Sequence, residues 1–240
     1  MKQYFEIVDV SARRILDSEG GEAIEVELSL DDETVGRASV PCNGNADIQV
    51  ENVNTEISEA LLGLNALEQT SIDAILTDID GTCELSRLGQ SAILATSLAC
   101  AKAAAQSSGQ SLYNYIGGIN AKVLPVPVIC GELPESAEDF SEAVFKEKSG
   151  HLNEADVSRI RYWEYGTLSE ILDAAAFALK EGETIALACP NNYTDDSSAA
   201  DISVALNADY IVMNNMNTCV LNELVRIEEE LFDIAEYAGD

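Results

Sequence analysis

The chain has 240 residues, 43 acidic against 13 basic, for a formal net charge of −30. Such a balance argues against binding nucleic acid or an anionic membrane surface, since both demand basic patches. With 47% hydrophobic and 23% charged residues the sequence can bury a real core, which excludes a disordered chain.

The length suits one large or two small domains, at about 100–200 residues each. The acids are spread along the chain without a long block. They read as a solvated surface suited to a salty cytoplasm, the alternative being a surface for a basic partner. No apolar run approaches the roughly 20 residues of a membrane span, and MKQYFEIVDV holds no signal-peptide core. The cysteines at 42, 83, 100, 130, 189 and 219 include no C-x-x-C pair. The expectation is a cytoplasmic protein with reduced thiols. His151, the single histidine, sits in the polar stretch KEKSGHLNEAD, so a His-based metal site or Ser–His pair has little to work with.

Residues 4–10 predict a first strand. Ile24, Val26, Leu28 and Leu30 alternate with Glu25, Glu27 and Ser29, the pattern of a strand with one buried face. Asp31-Asp32-Glu33 makes a turn and Thr34–Val40 returns, completing an antiparallel meander. Residues 41–47 (PCNGNAD) read as a loop. Helices are predicted over 52–62 and 67–79, and Ser86–Ser107 reads as a long Ala-rich helix with Gly109 just past its end. Cys100 falls in that run and is a core residue. Residues 1–122 thus predict an α+β domain, three strands with helices on one face.

Val123–Ile129 (VLPVPVI) opens a second domain, residues 123–240. Its prolines allow only an edge strand or an extended linker. Residues 131–158 are acidic and weakly patterned, with a short helix near 136–147. From 159 a strand–helix rhythm sets in, which implies a parallel sheet. Strands are expected at Arg159–Trp163, Ile185–Ala188 and Asp209–Met213. Thr167–Glu170 is a capping box opening a helix with Leu168, Ile171, Leu172, Ala175 and Leu179 on one face. A further helix starts near Ser197, and Val220–Tyr237 is a closing amphipathic helix.

Several runs resemble enolase. DVSARRILDSEGGEAIEVEL, VGRASVP, ENVNTEISEALLGL, SRLGQSAILATSLACAKAAA and LYNYIGG resemble its N-terminal capping domain, and LPVPVI its first barrel strand. YGTLSEILDAAAFALKEG and LVRIEEELFDIAEYAG resemble its last barrel strands and C-terminal helix. The resemblance covers residues 1–130 and 160–240. It implies an α/β fold: an α+β capping domain followed by a truncated, open βα remnant of the barrel. In that family Mg²⁺ is bound by carboxylates on middle strands, and a lysine base takes the proton beside the substrate carboxylate. Residues 131–158 stand in place of those strands. The resemblance puts Arg161 where the lysine base would be, and arginine stays protonated. Ala188, Cys189, Pro190 and Asn191 replace the Ser-His-Arg-Ser that holds substrate, and Val212 replaces a second lysine. The loop whose serine chelates a second metal is reduced to Cys42-Asn43-Gly44-Asn45.

The turn after Ile185–Ala188 is where a βα fold places its chemistry. Cys189 at that strand end is a conceivable nucleophile, but Asp195 and Asp196 precede the next helix and would raise its pKa, so a structural cysteine is expected. Asp195, Asp196 and Asp201 are weak metal candidates that more simply cap the helix and complement its dipole. Arg161, with Arg159, is a possible anion contact, the competing reading being salt bridges to the abundant acids. Only one of the two is expected to point inward.

The expected protein is therefore an enolase-like chain without catalysis, a binding, scaffold or regulatory subunit needing no cofactor. The alternative is phosphopyruvate hydratase, which converts 2-phosphoglycerate to phosphoenolpyruvate and would need Mg²⁺, or a related lyase. The expected sheet is an arc ordered Arg159–Trp163, Ile185–Ala188, Asp209–Met213, Val123–Ile129. Its edges are blunted by Pro125 and Pro127 on one side and by Arg159 and Arg161 on the other. Leu133, Phe140, Val144, Phe145 and Leu152 are too few to cover its inner face, so a homodimer or a complex with another protein is expected.

Overall fold

The computed structural model describes residues 4–129 and 157–238. The predicted helix near 136–147, the covering residues between Leu133 and Leu152, and His151 lie outside them. The chain divides into two compact units. One comprises Met1–Leu112 with Trp163–Ile171 and Asn192–Asp196, the other Tyr113–Tyr162, Leu172–Asn191 and Ser197–Asp240.

In the first unit the meander is β1 (Ile7–Leu16), β2 (Glu22–Leu30) and β3 (Val35–Pro41), antiparallel in that order. β1 starts later than predicted and runs on through SARRIL, because Ala12–Leu16 pair with Val26–Glu22. Ile24, Val26 and Leu28 are fully buried. The long helix α4 (Gln90–Ser107) lies on β2 and β3, and nearly all of it is buried. Its alanines permit that closeness, and so does Gly36: a Cβ there would strike the Ala99 carbonyl and the Ala103 backbone. α4 begins four residues later than the sequence suggested, since Gly89, at φ +104°, precedes it.

Helix α1 (Ala46–Asn52) starts six residues before the predicted 52, inside the expected loop. The reason is Asn45, whose side-chain oxygen accepts the Ile48 N–H at 3.2 Å, an N-cap. A π turn at Val53–Ile57 and helix α2 (Ser58–Leu61) continue it, and α3 (Gln69–Asp80) follows. From the π turn Asn54 reaches β1, accepting the Ala12 N–H at 2.6 Å and donating to its carbonyl at 3.2 Å. An amide side chain thereby takes the place of a neighbouring strand on that edge.

In the second unit, after α5 (Leu112–Gly117), the chain splits at Pro125. β4 (Val123–Leu124) pairs in parallel with β9 (Glu236–Tyr237), and β5 (Val126–Ile129) enters a four-stranded parallel sheet. Its other strands are β6 (Val157–Arg161), β7 (Thr184–Ala188) and β8 (Tyr210–Met213), in the order β5-β8-β7-β6. The order is the predicted one and the sheet is open rather than closed into a barrel, but β6 lies two residues earlier than the expected Arg159–Trp163, because Tyr162–Glu164 turn into a 3-10 helix. One row across it, Ile160, Leu187 and Ile211, is buried.

Helix α6 (Leu168–Lys180) buries Leu168, Ile171, Ala175 and Ala178. Leu179, predicted on that face, is 54% exposed, because the buried stripe drifts one position toward Ala178. α7 (Ser198–Ala205) and α8 (Thr218–Leu231) pack together. α8 stops short of the predicted Tyr237: Phe232 takes φ +47° and the chain leaves to form β9.

Candidate functional site

At the C-terminal edge of the parallel sheet the strand register sets Val128 beside Val212, Val212 beside Ala188, and Ala188 beside Arg161. Residues in register on neighbouring strands share a face. Arg161, Ala188 and Val212 therefore form one row, with Cys189 one residue further on. The Cys189 N–H donates to the Val212 carbonyl at 2.8 Å. Its thiol is 4% exposed, and burial pushes it up to about 12, so at neutral pH it stays protonated. Loss of water, not the aspartates, is what raises it.

Burial alternates along β6: Arg159 and Arg161 are exposed and Ile160 between them is buried. Both arginines thus share a face. The expectation that only one would point inward is corrected, because residues two apart on a strand lie on the same side.

Asp195 and Asp196 belong to the first unit. Asp196 accepts the Ser39 N–H at 3.0 Å and the Lys102 ammonium at 2.7 Å. Asp195 comes within 3.5 Å of the Ser39 hydroxyl. Ser197 stands at the N-cap of α7 with no side-chain cap bond. The capping role expected of the two aspartates is therefore not theirs: Asp196 instead closes the free edge of β3. Asp201, inside α7, accepts the Tyr113 N–H at 3.2 Å. Asn192 donates to Asp17 at 2.8 Å, and the Thr194 and Ser39 hydroxyls lie 2.9 Å apart. Among the described residues no three of His, Cys, Asp and Glu are grouped as a metal site needs.

A polar cluster the sequence did not announce lies at the start of α6. Asp73 is 2% exposed and accepts from Gln69 at 2.9 Å, the Ser97 hydroxyl at 2.6 Å, and the Ser169 N–H and hydroxyl at 3.0 and 2.6 Å. Ser97 in turn accepts the Leu168 N–H at 3.0 Å. The available signal was an aspartate on the apolar face of α3, beside Ile72 and Leu76. In the expected capping box, Thr167 does accept the Glu170 N–H at 3.3 Å, but the Glu170 carboxylate takes the Gly166 N–H at 2.8 Å.

The loop after β3 is tied down. Asn43 donates its N–H to Ser91 at 3.2 Å, and its carbonyl accepts from Gln49 at 2.8 Å. The Cys42 N–H donates to the Glu22 carbonyl at 2.9 Å. Burial, helped by the Glu22 charge, raises the Cys42 thiol above its ordinary value.

Two family models match the chain: "Enolase, N-terminal domain" over residues 43–116 and "Enolase, C-terminal TIM barrel domain" over residues 147–240. The chain belongs to the enolase family. The second match takes in β6, β7 and β8, so Arg161, Cys189 and Val212 all fall inside the enolase barrel region. What this enolase-family chain retains of the barrel sheet, among the described residues, is an open four-stranded arc. None of its helices in the described residues is long and apolar enough to cross a membrane.

Proposed function

We propose that this enolase-family chain is a non-catalytic subunit that binds or scaffolds another polypeptide in the cytoplasm. One observation carries the reading: the row Arg161, Ala188, Val212. A proton abstraction needs a group that is deprotonated near neutral pH and close to the carbon acid. A guanidinium does not meet that need, and neither do a methyl and an isopropyl group. Cys189 adds a buried thiol held protonated. The phosphate and carboxylate of the family's substrate would meet one cation in this row, Arg161, where the resemblance implies an arginine, a histidine and two lysines.

The test is a dehydration assay on 2-phosphoglycerate with excess Mg²⁺, run beside a mock purification, together with affinity capture from native lysate. No turnover above the mock and recovery of a stoichiometric protein partner are the expected outcomes. Turnover above the mock would overturn the reading in favour of a phosphopyruvate hydratase.

A further inference from the structure

The sequence holds a single Asn-Gly pair, Asn43-Gly44, and it lies in the loop between β3 and α1. An asparagine followed by glycine carries both partners of an intramolecular reaction. The side-chain amide carbon is the electrophile, and the next backbone nitrogen is a nucleophile placed to close a cyclic imide on it. Glycine brings no Cβ to crowd that approach. In a folded chain the outcome turns on whether either group is held elsewhere.

Both groups are unheld here. Asn43 and Gly44 are exposed. The loop is fixed through the other atoms of Asn43: its N–H donates to Ser91 and its main-chain carbonyl accepts from Gln49. Among the described residues no hydrogen bond engages the Asn43 side-chain amide or the Gly44 N–H. Gly44 takes φ +108°, and a Cβ placed there would meet only Gln49, at 3.8 Å. Asn45, two residues on, is the contrast. Its side-chain oxygen accepts the Ile48 N–H at 3.2 Å, and the following N–H, of buried Ala46, donates to the Glu22 carboxylate at 3.4 Å. There both reacting groups are engaged.

We propose that Asn43-Gly44 is a site of spontaneous covalent modification, at which Asn43 becomes aspartate and isoaspartate with water as the only co-reactant. The Gly44 nitrogen gives its proton to solvent and bonds to Asn43 Cγ. The Cγ–Nδ2 bond breaks, and ammonia leaves with a proton taken back from solvent. Water then adds to one of the two carbonyls of the imide. Opening at Cγ gives aspartate. Opening at the main-chain carbonyl gives isoaspartate, in which the chain runs through Cβ and Cγ and is one atom longer. Either product puts a negative charge where a neutral amide stood. On the isoaspartate branch the oxygen that Gln49 holds becomes part of a free carboxylate, and the link to Gly44 no longer passes through it. Gln49 also accepts the Ala92 N–H at 3.0 Å, at the start of α4. The change is therefore delivered to the joint between the loop, α1 and α4. It does not depend on whether the chain catalyses a reaction.

The experiment incubates the full chain in mildly alkaline buffer, beside the same chain in urea and a synthetic peptide of residues 41–47. Samples are digested at intervals and read by mass spectrometry. The fragment spanning Asn43 is expected to gain the mass difference between an amide and an acid, and to split into two chromatographic forms. One form should accept a methyl group from an isoaspartyl methyltransferase. The rate in the native chain should lie within about tenfold of the free peptide, so that the fold adds less than about 1.4 kcal/mol to the barrier. Asn45 should keep its amide in the native chain. Asn43→Gln should abolish the change, because the longer side chain closes its ring far more slowly, and an unchanged unfolding midpoint will show that the variant is folded. Conversion in urea or in the peptide but not in the native chain overturns the inference, since the fold then protects the pair. An unchanged Asn43 in all three samples overturns it too, as does a product free of isoaspartate, conversion at Asn45 before Asn43, or a conversion that survives in Asn43→Gln.

Discussion

Lys102 Nζ lies 2.7 Å from a carboxylate oxygen of Asp196, 94 residues later in the chain. The Asp196 side chain is only 5% exposed and also accepts the Ser39 N–H. Removing it strands an ammonium and a backbone donor together. Asp196→Ala is expected to cost about 1.5–3 kcal/mol, the range for hydrogen bonds to charged groups. Asp195→Ala, at an exposed neighbour, should stay within about 0.5 kcal/mol. Urea unfolding of the two variants checks this, and equal costs would contradict the assignment.

Asp80 gives the fold an acid-sensitive joint. Burial works to raise its pKa, but hydrogen bonds from the Leu88 N–H at 2.7 Å, the Thr82 hydroxyl and the Thr82 N–H at 3.1 Å, with the charge of Arg87, outweigh it and hold the carboxyl below its ordinary value. A folded-state value lower than the unfolded one gives stability that is complete above the unfolded value and is lost as pH falls through the folded value. The Asp80→Ala protein should be less stable than the parent at neutral pH. The gap should shrink as pH falls below about 4. Thermal melts across that range measure it, and a gap independent of pH would refute the account.

The thiols should react in a set order. Cys83 is exposed, whereas Cys100 and Cys189 are buried and held protonated by desolvation. With a thiol-specific chromogenic disulfide at pH 8, Cys83→Ser should remove a fast-reacting group. Cys189→Ser should leave the fast phase unchanged and lower the count only after denaturation. A fast phase that depends on Cys189 would mean its strand end is open to solvent.

Light scattering coupled to size exclusion is expected to give twice 25.7 kDa, since two-fold dimers are the commonest oligomers. No larger species should form, because the prolines beside β5 and the arginines of β6 oppose end-to-end strand pairing. A single peak at the monomer mass would refute the dimer expected from the sequence.

Alternation and turn residues made β2 and β3 readable, because a half-buried strand leaves a period-two trace. Alternating Ile24 to Leu30 marked β2, and the resemblance placed the order of the arc. The misreadings have local causes. Asn45 looks like loop until its side chain is seen capping α1. Arg13 and Arg14 disguise β1, whose charges are met across the sheet by Glu25 at 2.8 Å and Glu22 at 3.1 Å. No sequence pattern announces that Trp163–Ile171 and Asn192–Asp196 belong with the first unit. The bonds that tie them there, Asp73 to Ser169 and Lys102 to Asp196, each span more than 90 residues. Such pairings leave no periodic trace in a single chain.

That tie has a consequence for biosynthesis. The first unit draws its last residues from Asn192–Asp196, so the nascent chain cannot finish it when Leu112 emerges. At about 5–20 residues per second, Asp196 arrives roughly 4–17 s later. Until then the edge of β3 has no carboxylate at Ser39 and Lys102 has no counter-ion. A pause or stop in translation before Asp196 therefore leaves the amino-terminal unit with an unsealed strand.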